Sequence, residues 1–472
     1  MARHVRDNPL FVVLLAGGAA LRLVTMLGFR PALWFGGDTD VYVRAAADLE
    51  PLASRPVGYS FLLRMLMPGH SFTLVVAVQH LLGLGVAVLV YLLLRRAGVL
   101  KSLAALLTTP LLFDAYQVQL EHLIMSDTLF GFLVVAAVAM LLWRPVPTPA
   151  LAAAACLTLS LAAVTRTVGL PLLGLAVAYL LVRRAGWRGL ACGLLAAAVP
   201  LVAYATWFHA AHGQFALSRA DGVFLWSRTM TFADCSVLKP PPEEAVLCPE
   251  NVPPEIRAER PAASRWIWNE WSPIQRAPGD LFSVQTNDVG RRFALRAIFG
   301  QPLDYAGAVA RDTARAFSWV RQPHPGTYTV GFYEFDLADL PLPTEHSAGS
   351  VTVAEIARIY APMPGTDSVP PYSSLIRKYQ DYVFLRGPIL ALLLLAGLAG
   401  VLVRRRAVIL FPWLVGVALL VAPPMLADFD HRYVLPAVPL LCLAAGLAAV
   451  RRSDHDVVVG GPVEGERRVL PV

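Results

Sequence analysis

The stretch 35–60, FGGDTDVYVRAAADLEPLASRPVGYS, carries acidic and basic side chains between two long apolar runs. The runs, residues 10–29 and 72–94, are each long enough to cross a bilayer as a helix. The stretch is therefore predicted to be a charged loop at the membrane surface. Its charged residues are Asp38, Asp40, Arg44, Asp48, Glu50 and Arg55.

The composition of the whole chain agrees with a multi-spanning membrane protein. Hydrophobic residues make up 56% of the 472 residues and charged residues only 15%, unlike an ordinary soluble domain. The sequence predicts an all-α polytopic fold with about ten transmembrane helices. The candidate spans are 10–29, 72–94, 102–113, 128–143, 150–164, 168–182, 189–207, 384–403, 408–427 and 434–450.

Basic residues give these spans an orientation, because short cytoplasmic loops collect arginine and lysine. The basic clusters fall on alternate loops and place both termini in the cytoplasm. They also account for the net charge of +7 without a nucleic-acid partner. Arginine far outnumbers lysine, which is typical of a GC-rich genome and suggests a bacterial source. The clusters include Arg3 and Arg6, Arg95 and Arg96, Arg183 and Arg184, Arg404 to Arg406, and Arg451 and Arg452.

This orientation divides the chain into four parts. Residues 1–207 hold seven predicted spans and the charged first loop, and 208–383 form a large extracytoplasmic domain. Residues 384–450 hold three more spans, and 451–472 are predicted to be a disordered cytoplasmic tail. Cys235 and Cys248 share the extracytoplasmic part, where a disulfide is permitted, and two unpaired thiols are the alternative.

One segment of the extracytoplasmic part has a helical, partly one-sided apolar pattern. It begins at Asn287, a plausible N-cap, and runs through VGRRFALRAIFG. Such a helix would lie on the membrane surface or pack within the domain. The sequence leaves both interpretations open.

Acidic and basic side chains gather on the predicted outer side. A carboxylate held at the interface can deprotonate a hydroxyl acceptor, and arginines there can hold a lipid phosphate through paired N–H donors. The acidic and histidine candidates are Asp38, Asp40, Glu121, His122 and Asp127, and the basic candidates are Arg55, Arg166 and Arg432. No spaced Cys/His set indicates a zinc site.

Five short motifs, in order along the chain, resemble the GT-C glycosyltransferases. They are similar to bacterial relatives of the protein mannosyltransferases and of lipid A aminoarabinose transferase. The motifs are GDTDVYVRAA (37–46), RPVGYSFLLR (55–64), EHLIMSDTLFGFL (121–133), TRTVGLPLL (165–173) and DFDHRYVLPAVPLL (428–441). The resemblance covers roughly the first 210 and last 90 residues, and the extracytoplasmic domain only poorly.

The resemblance implies a GT-C-like arrangement of helices with one large extracytoplasmic insertion. It also implies a polyprenyl-phosphate sugar donor and an acidic base in the first outer loop. The family pattern of an Asp followed four residues later by a Tyr falls on Asp38 and Tyr42, with Asp40 as second choice. The alternative is that these acids only solvate the loop and cap its helix.

The resemblance assigns expected roles to the other site residues. Asp127 would orient the base or the acceptor, or else cap its helix. Arg55, Arg166, Arg432 and Tyr433 would contact the donor phosphate, although Arg166 at its depth could instead extend to the interface. Arg22 could extend outward in the same way and is not assigned. Tyr42, Tyr59, Glu121 and His122 are expected to bind substrate, while a lone His such as His122 is often only a hydrogen-bonded neighbour.

The expected function is transfer of a sugar, with inversion, to an extracytoplasmic lipid, cell-wall glycan or protein. One alternative is an envelope polysaccharide polymerase or ligase that uses a diphosphate carrier. A lipid-linked sugar transporter is another, although nearly charge-free spans argue against it. The sequence does not decide the sugar, the acceptor or a requirement for a divalent cation, which Asp38 and Asp127 would serve.

Overall fold

The computed structural model describes residues 8–277, 279–342 and 351–450. Each predicted span coincides with an apolar helix. By length and composition, six helices in this described part are able to cross a membrane, and four further apolar helices are shorter. The six are Pro9–Gly28, Phe72–Arg96, Gly186–His212, Gly387–Arg404, Ala407–Leu426 and His431–Ala449. The shorter four are Lys101–Phe113, Ser126–Leu142, Pro149–Thr165 and Gly169–Val182.

The protein is a multi-pass, all-α membrane protein with only three short strands in the part that the structure describes. The elements before the long insertion are α1 (Pro9–Gly28), β1 (Phe29–Arg30), α2 (Thr39–Asp48), α3 (Gly58–Leu66), α4 (Phe72–Arg96), α5 (Lys101–Leu106), α6 (Thr109–Phe113), α7 (Ala115–His122), α8 (Ser126–Leu142), α9 (Pro149–Thr165), α10 (Gly169–Val182) and α11 (Gly186–His212).

The insertion and the last helices complete the order. They are α12 (Asp221–Thr229), α13 (Cys235–Leu238), α14 (Pro242–Ala245), α15 (Pro254–Ala258), α16 (Ala263–Trp268), α17 (Val284–Gly300), α18 (Pro302–Ala314), α19 (Thr327–Gly331), β2 (Leu340–Pro341), α20 (Val353–Tyr360), β3 (Gly365–Ser368), α21 (Tyr372–Tyr382), α22 (Gly387–Arg404), α23 (Ala407–Leu426) and α24 (Val438–Ala449). Two 3₁₀ turns, His431–Tyr433 and Leu435–Ala437, lead into α24.

Small residues let the apolar helices approach closely, as is common between membrane helices. A Cβ atom added at Gly400 of α22 would lie 2.3 Å from the side chain of Ala448 in α24. A Cβ atom at Gly446 would lie 2.4 Å from Leu94 of α4. A larger residue at Gly400 would therefore push α24 away from α22, and one at Gly446 would push α24 away from α4.

The basic loops lie together at one end of the helices. The Arg96 guanidinium donates to the Trp143 carbonyl at 2.7 Å, and the Arg183 Nε donates to the Pro145 carbonyl at 2.7 Å. Asp127 lies in the first turn of α8 and Arg166 directly follows α9, so both lie at the helix ends opposite the basic loops. The charged candidates thus gather at the end away from the basic loops, as the sequence predicts.

The segment between α11 and α22 has two differently packed parts. The first has a core of its own, in which α12 and α17 bury Trp226 and Phe293. Cys235 and Cys248 form a disulfide in this part. The C-terminal tail predicted to be disordered, 451–472, lies outside the described residues.

The second part packs onto the first loop and the end of α1. Tyr360 stacks on Phe72 with ring centroids 4.8 Å apart, and Phe335 stacks on Phe29 at the same distance. The three strands form an antiparallel sheet in the order β1-β3-β2, with Phe29 opposite Ser368 and Leu340 opposite Thr366. The insertion therefore holds the first loop against the membrane helices.

Candidate active site

The first loop is anchored by Thr39, the residue after Asp38. Its hydroxyl accepts a hydrogen bond from the Phe35 N–H at 2.9 Å and donates to the Ile124 carbonyl at 3.0 Å. A parallel bridge joins Leu33 to Leu123. These contacts fix the loop against the segment that leads into α8, and so bring Asp38 towards Asp127.

Asp38 lies between two arginines that come from distant parts of the chain. Arg55 forms an ion pair with Oδ1, and the Nη1 of Arg432 donates to Oδ2 at 2.8 Å. The Asp38 side chain is only 15% exposed, so both partners are held in place. Arg55 and Arg432, which are predicted to contact the donor phosphate, thus both pair with Asp38, the predicted base.

Arg432 is surrounded by aromatic rings. Its guanidinium carbon lies 4.9 Å from the ring centroid of Phe35 and 5.0 Å from that of Tyr433. Its Nη2 also donates to the Tyr433 hydroxyl at 3.1 Å. This packing fixes the plane of the guanidinium, which matters for paired bonding to carboxylate or phosphate.

A second acid–arginine pair adjoins the first. The Nη1 of Arg166 lies 2.5 Å from Oδ1 of Asp127, and the Arg166 guanidinium lies 5.1 Å from the Tyr433 ring centroid. Asp127 is buried, and its Oδ2 has no hydrogen-bond partner in the part of the chain that the structure describes. Met125 occupies the N-cap position of α8, and no side chain makes a capping bond there. The helix-capping interpretation of Asp127 therefore has no support.

The tyrosines and Asp40 support the loop. The Tyr42 hydroxyl shares a hydrogen bond with Ser126 at 3.0 Å, and Arg55 lies 5.6 Å from the Tyr42 ring centroid. Tyr59 is fully buried behind Tyr42 and donates to Gln79 at 2.7 Å. Asp40 accepts from the Gly37 N–H at 3.0 Å. Tyr42 therefore lies beside Arg55, whereas Tyr59 and Asp40 stabilise the structure around the first loop.

Glu121 and His122 lie in a different cluster. Both are fully buried, and Glu121 forms a two-point ion pair with Arg22 at 2.7 and 2.8 Å. Arg22 therefore does not extend outward, because it is 2% exposed and pairs inside the protein. The structure does not bring these residues to the Asp38 site.

Two residues that the sequence interpretation missed lie beside Arg432. Asp430 accepts from the Tyr333 hydroxyl at 2.6 Å, and its Oδ2 lies 3.7 Å from the Nε of Arg432. Asp430 belongs to the quoted motif 428–441, which offered a clue. Tyr333 comes from the insertion, and no local pattern marks it.

The electrostatic environment shifts the pKa values of the two carboxylates next to Arg432 in opposite directions. Burial raises the pKa of Asp38, but the charges and hydrogen bonds of Arg55 and Arg432 outweigh burial and hold that pKa well below its usual value. Burial raises the pKa of Asp430, and Arg432 offsets it only in part. Asp38 is therefore the more acidic of these two carboxylates.

The acid–arginine site, defined as Asp38, Arg55, Asp127, Arg166, Arg432 and Tyr433, can bind an anion once its arginines turn away from the carboxylates. A cavity of about 30 Å³ adjoins it, lined in part by Asp127, Thr128 and Leu435. A divalent cation would have to displace arginines from Asp38 or Asp127. The donor set thus favours an anion over a cation.

The fold and the site define a multi-pass, all-helical membrane protein with paired acids and arginines at one end of its helices. Neither a family model nor a curated protein matches the chain. Solved structures of GT-C superfamily glycosyltransferases do match, the superfamily that the sequence motifs resemble.

One is the apo oligosaccharyltransferase of Archaeoglobus fulgidus, with 13% identity over 94% of this chain and a TM-score of 0.45. The oligosaccharyltransferase AglB from Archaeoglobus fulgidus, in complex with an inhibitory peptide and a dolichol-phosphate, matches at 14% identity over 94% of this chain, with a TM-score of 0.42. This chain spans about half the length of both matched chains, 50% in each alignment.

ArnT from Cupriavidus metallidurans, bound to undecaprenyl phosphate, matches over 93% of this chain and 76% of its own length. The identity is 15% and the TM-score 0.36. Likenesses this distant transfer no activity, so a function must be supported by this chain's own residues.

Proposed function

We propose that this protein is a membrane glycosyltransferase that moves a sugar from a polyprenyl-phosphate donor to a hydroxyl acceptor outside the cytoplasm. The observation that carries the proposal is the position of Asp38, held by Arg55 and Arg432 beside the Asp127–Arg166 pair. Domain roles follow the sequence division: 1–207 and 384–450 hold the membrane helices, and 208–383 form the extracytoplasmic domain.

The arginines supply the donor site. A guanidinium binds phosphate through two parallel N–H groups, and Arg55, Arg166 and Arg432 each already bond a carboxylate. These carboxylates occupy the positions that phosphate oxygens would take. The lipid phosphate at the bilayer surface would therefore compete with Asp38 and Asp127 for the same donors.

This competition links donor binding to the activation of the base. Two arginines make Asp38 a weak base, because they stabilise its ionised form. When the guanidinium groups turn to the phosphate, Asp38 loses that stabilisation and its affinity for a proton increases. The protein would thus have a strong base only when donor is present, which limits wasteful reaction.

The reaction then needs one proton acceptor and one leaving group. The acceptor oxygen forms a bond to the anomeric carbon as the bond between that carbon and the phosphate oxygen breaks. Asp38 takes the hydroxyl proton, and the arginines stabilise the charge on the departing lipid phosphate. Attack from the face opposite the phosphate inverts the anomeric centre.

A donor panel tests this function. Purified protein in lipid vesicles is incubated with radiolabelled sugars on polyprenyl phosphate or polyprenyl diphosphate, and label is followed into lipid, glycan and protein acceptors. We expect transfer from at least one monophosphate donor, and transfer reduced by about a hundredfold or more in the Asp38→Asn variant. Transfer from diphosphate donors alone would indicate the polymerase or ligase alternative, and movement of intact donor across the vesicle would indicate a transporter.

A further inference from the structure

Four buried ionisable side chains form a chain of contacts behind the first loop. Arg22 from α1 pairs with Glu121, and the Nδ1 of His80, from α4, lies 3.0 Å from Oε2 of Glu121. The Nε2 of His80 lies 3.1 Å from Nδ1 of His122, and the Nε2 of His122 lies 2.7 Å from the Phe29 carbonyl oxygen. Each of the four residues is at most 3% exposed.

The absence of a side chain at Gly83 leaves room for the Glu121 carboxylate in this cluster. A Cβ atom added at Gly83 would lie 1.9 Å from Oε1 of Glu121, so any other residue there would displace the carboxylate. Gln117 also donates to Oε1 at 3.1 Å, and Arg22 donates to the Leu112 carbonyl at 2.9 Å. The carboxylate and guanidinium are thus fixed by several bonds each.

The donor and acceptor roles in this cluster can be assigned from the Phe29 carbonyl oxygen, which can only accept a hydrogen bond. The Nε2 of His122 must therefore carry a hydrogen and donate it. Burial and the neighbouring His80 lower the pKa of His122 to about 3, so this ring is neutral and its Nδ1 has a lone pair. That lone pair can only accept, and the Nε2 of His80 must be the donor to it.

The other nitrogen of His80 faces Glu121. Burial raises the pKa of Glu121, but Arg22 and the bonds from His80 and Arg22 outweigh burial and lower it, which leaves a carboxylate. A carboxylate only accepts, so the Nδ1 of His80 must also carry a hydrogen. With a single hydrogen on His80, one contact of about 3 Å would join two lone pairs.

We propose that this cluster binds one additional proton, held on His80 as an imidazolium paired with the Glu121 carboxylate. The charged groups that face His80 are Glu121, which favours the imidazolium, and Arg22, which opposes it. Burial opposes the charge as well. Glu121 and the His122 acceptor, both fixed by other bonds, compensate for this cost.

The proton site has a structural route to the acid–arginine site. The Leu33 N–H donates to the His122 carbonyl at 3.1 Å, and the Ile124 N–H donates to the Leu33 carbonyl at 3.2 Å. Thr39, next to Asp38, donates to the Ile124 carbonyl. His80 is therefore a positioning residue for the first loop. The proton site stands without the proposed function, and only its effect on turnover rests on that function.

A spectroscopic experiment tests the proton site on the unmodified protein. Solid-state NMR of protein labelled with ¹⁵N-histidine, in lipid bilayers at about pH 7.5, distinguishes protonated from bare ring nitrogens, and His80 is assigned through its contact with His122. This pH is about one unit above the ordinary histidine pKa. We expect two protonated nitrogens on His80 and one on His122. A bare nitrogen on His80 would overturn the proposal, whatever the protein transfers.

Turnover gives an independent readout. The proton is bound below the apparent pKa of the cluster and lost above it, so wild-type turnover should fall as pH rises through that value. His80→Gln should lower turnover by about tenfold or more and remove this limb of the pH profile, with donor affinity retained. His209→Gln, at an exposed histidine that stacks on Phe215, is the matched control. An unchanged turnover and pH profile in His80→Gln would contradict the positioning role.

Discussion

At the residue scale, Asp38 and the guanidinium groups around it explain why charge stands beside the first membrane span. Arg55 and Arg432 neutralise Asp38, and Arg166 neutralises Asp127, so the site carries no unpaired buried carboxylate before substrate binds. Under the proposed function, the same pairing holds the arginines where a donor phosphate would bind. The proposal therefore accounts for the arginines as well as for the acids.

The shape of the guanidinium, besides its charge, should matter at Arg432. Arg432→Lys keeps the charge but loses the paired N–H groups and the planar stacking against Phe35 and Tyr433. We expect donor affinity to fall by about tenfold or more, since a hydrogen bond to a charged group contributes about 1.5 to 3 kcal/mol. Equilibrium binding of a polyprenyl-phosphate sugar measures this.

Arg44→Lys is the matched control, because Arg44 lies in the first loop but pairs with Asp48 near the surface and not with Asp38. It should bind donor as the wild type does. An equal loss of affinity in both variants would mean that Arg432 has no special role in phosphate binding.

The residues of the acid–arginine site could be predicted from the sequence, because each of them lies in a short motif that the family resemblance marks. The neighbouring Tyr333 could not be predicted, since its contact with Asp430 joins residues 97 positions apart. The sequence predicts that Glu121 and His122 bind substrate, whereas in the structure they pair with Arg22 and His80 from other helices. Only the packing of the helices shows that Glu121 and His122 lie away from the acid–arginine site.

At the element scale, hydrophobic length predicts the membrane helices well, whereas helix starts depend on competition between capping residues. The helix expected from Asn287 begins at Val284, because Ser283 accepts from the Thr286 N–H at 3.2 Å and caps it. Asn287 instead accepts from the Gly222 N–H at 2.8 Å and joins α17 to α12. The Asn287 side chain, which the local pattern assigned to the N-cap, thus makes a long-range hydrogen bond instead.

The burial of this helix bears on the two interpretations that the sequence left open. Phe293 is fully buried in the core shared with Trp226, whereas Phe299 is 78% exposed near the end of the helix. Packing within the insertion therefore accounts for the middle of α17. The exposed end retains an apolar surface.

The disulfide should stabilise the first part of the insertion. Cys235 and Cys248 are 13 residues apart, and closing a loop of this size is worth about 2 to 4 kcal/mol. The double variant Cys235→Ala, Cys248→Ala should lower the free energy of unfolding of this part by that amount, measured by denaturant titration of tryptophan fluorescence. Cys442→Ala, at a buried free cysteine, controls for the loss of a thiol. Equal stability with and without the disulfide would contradict this expectation.

At the scale of the whole molecule, the basic loops and the acid–arginine site lie at opposite ends of the helices. The positive-inside rule then predicts that the site and the insertion lie outside the cytoplasm. We expect a cysteine at Glu255 to react with a membrane-impermeant maleimide in intact cells. A cysteine at Ala97 should react only after the cells are permeabilised, and Cys192→Ser removes the exposed native thiol. Strong labelling at Ala97 in intact cells would reverse the orientation.

The central claim, that Asp38 is the base of a glycosyl transfer, is tested most directly by measuring turnover and donor affinity together in Asp38→Asn. The amide keeps the shape but takes no proton, so turnover should fall by about a hundredfold or more. Donor affinity should be retained or improved, because Arg55 and Arg432 no longer bond a carboxylate. Asp48→Asn, at an exposed acid on the same loop, should change neither quantity. Near-normal turnover in Asp38→Asn would contradict the account and place the base elsewhere, with Asp40 the next candidate.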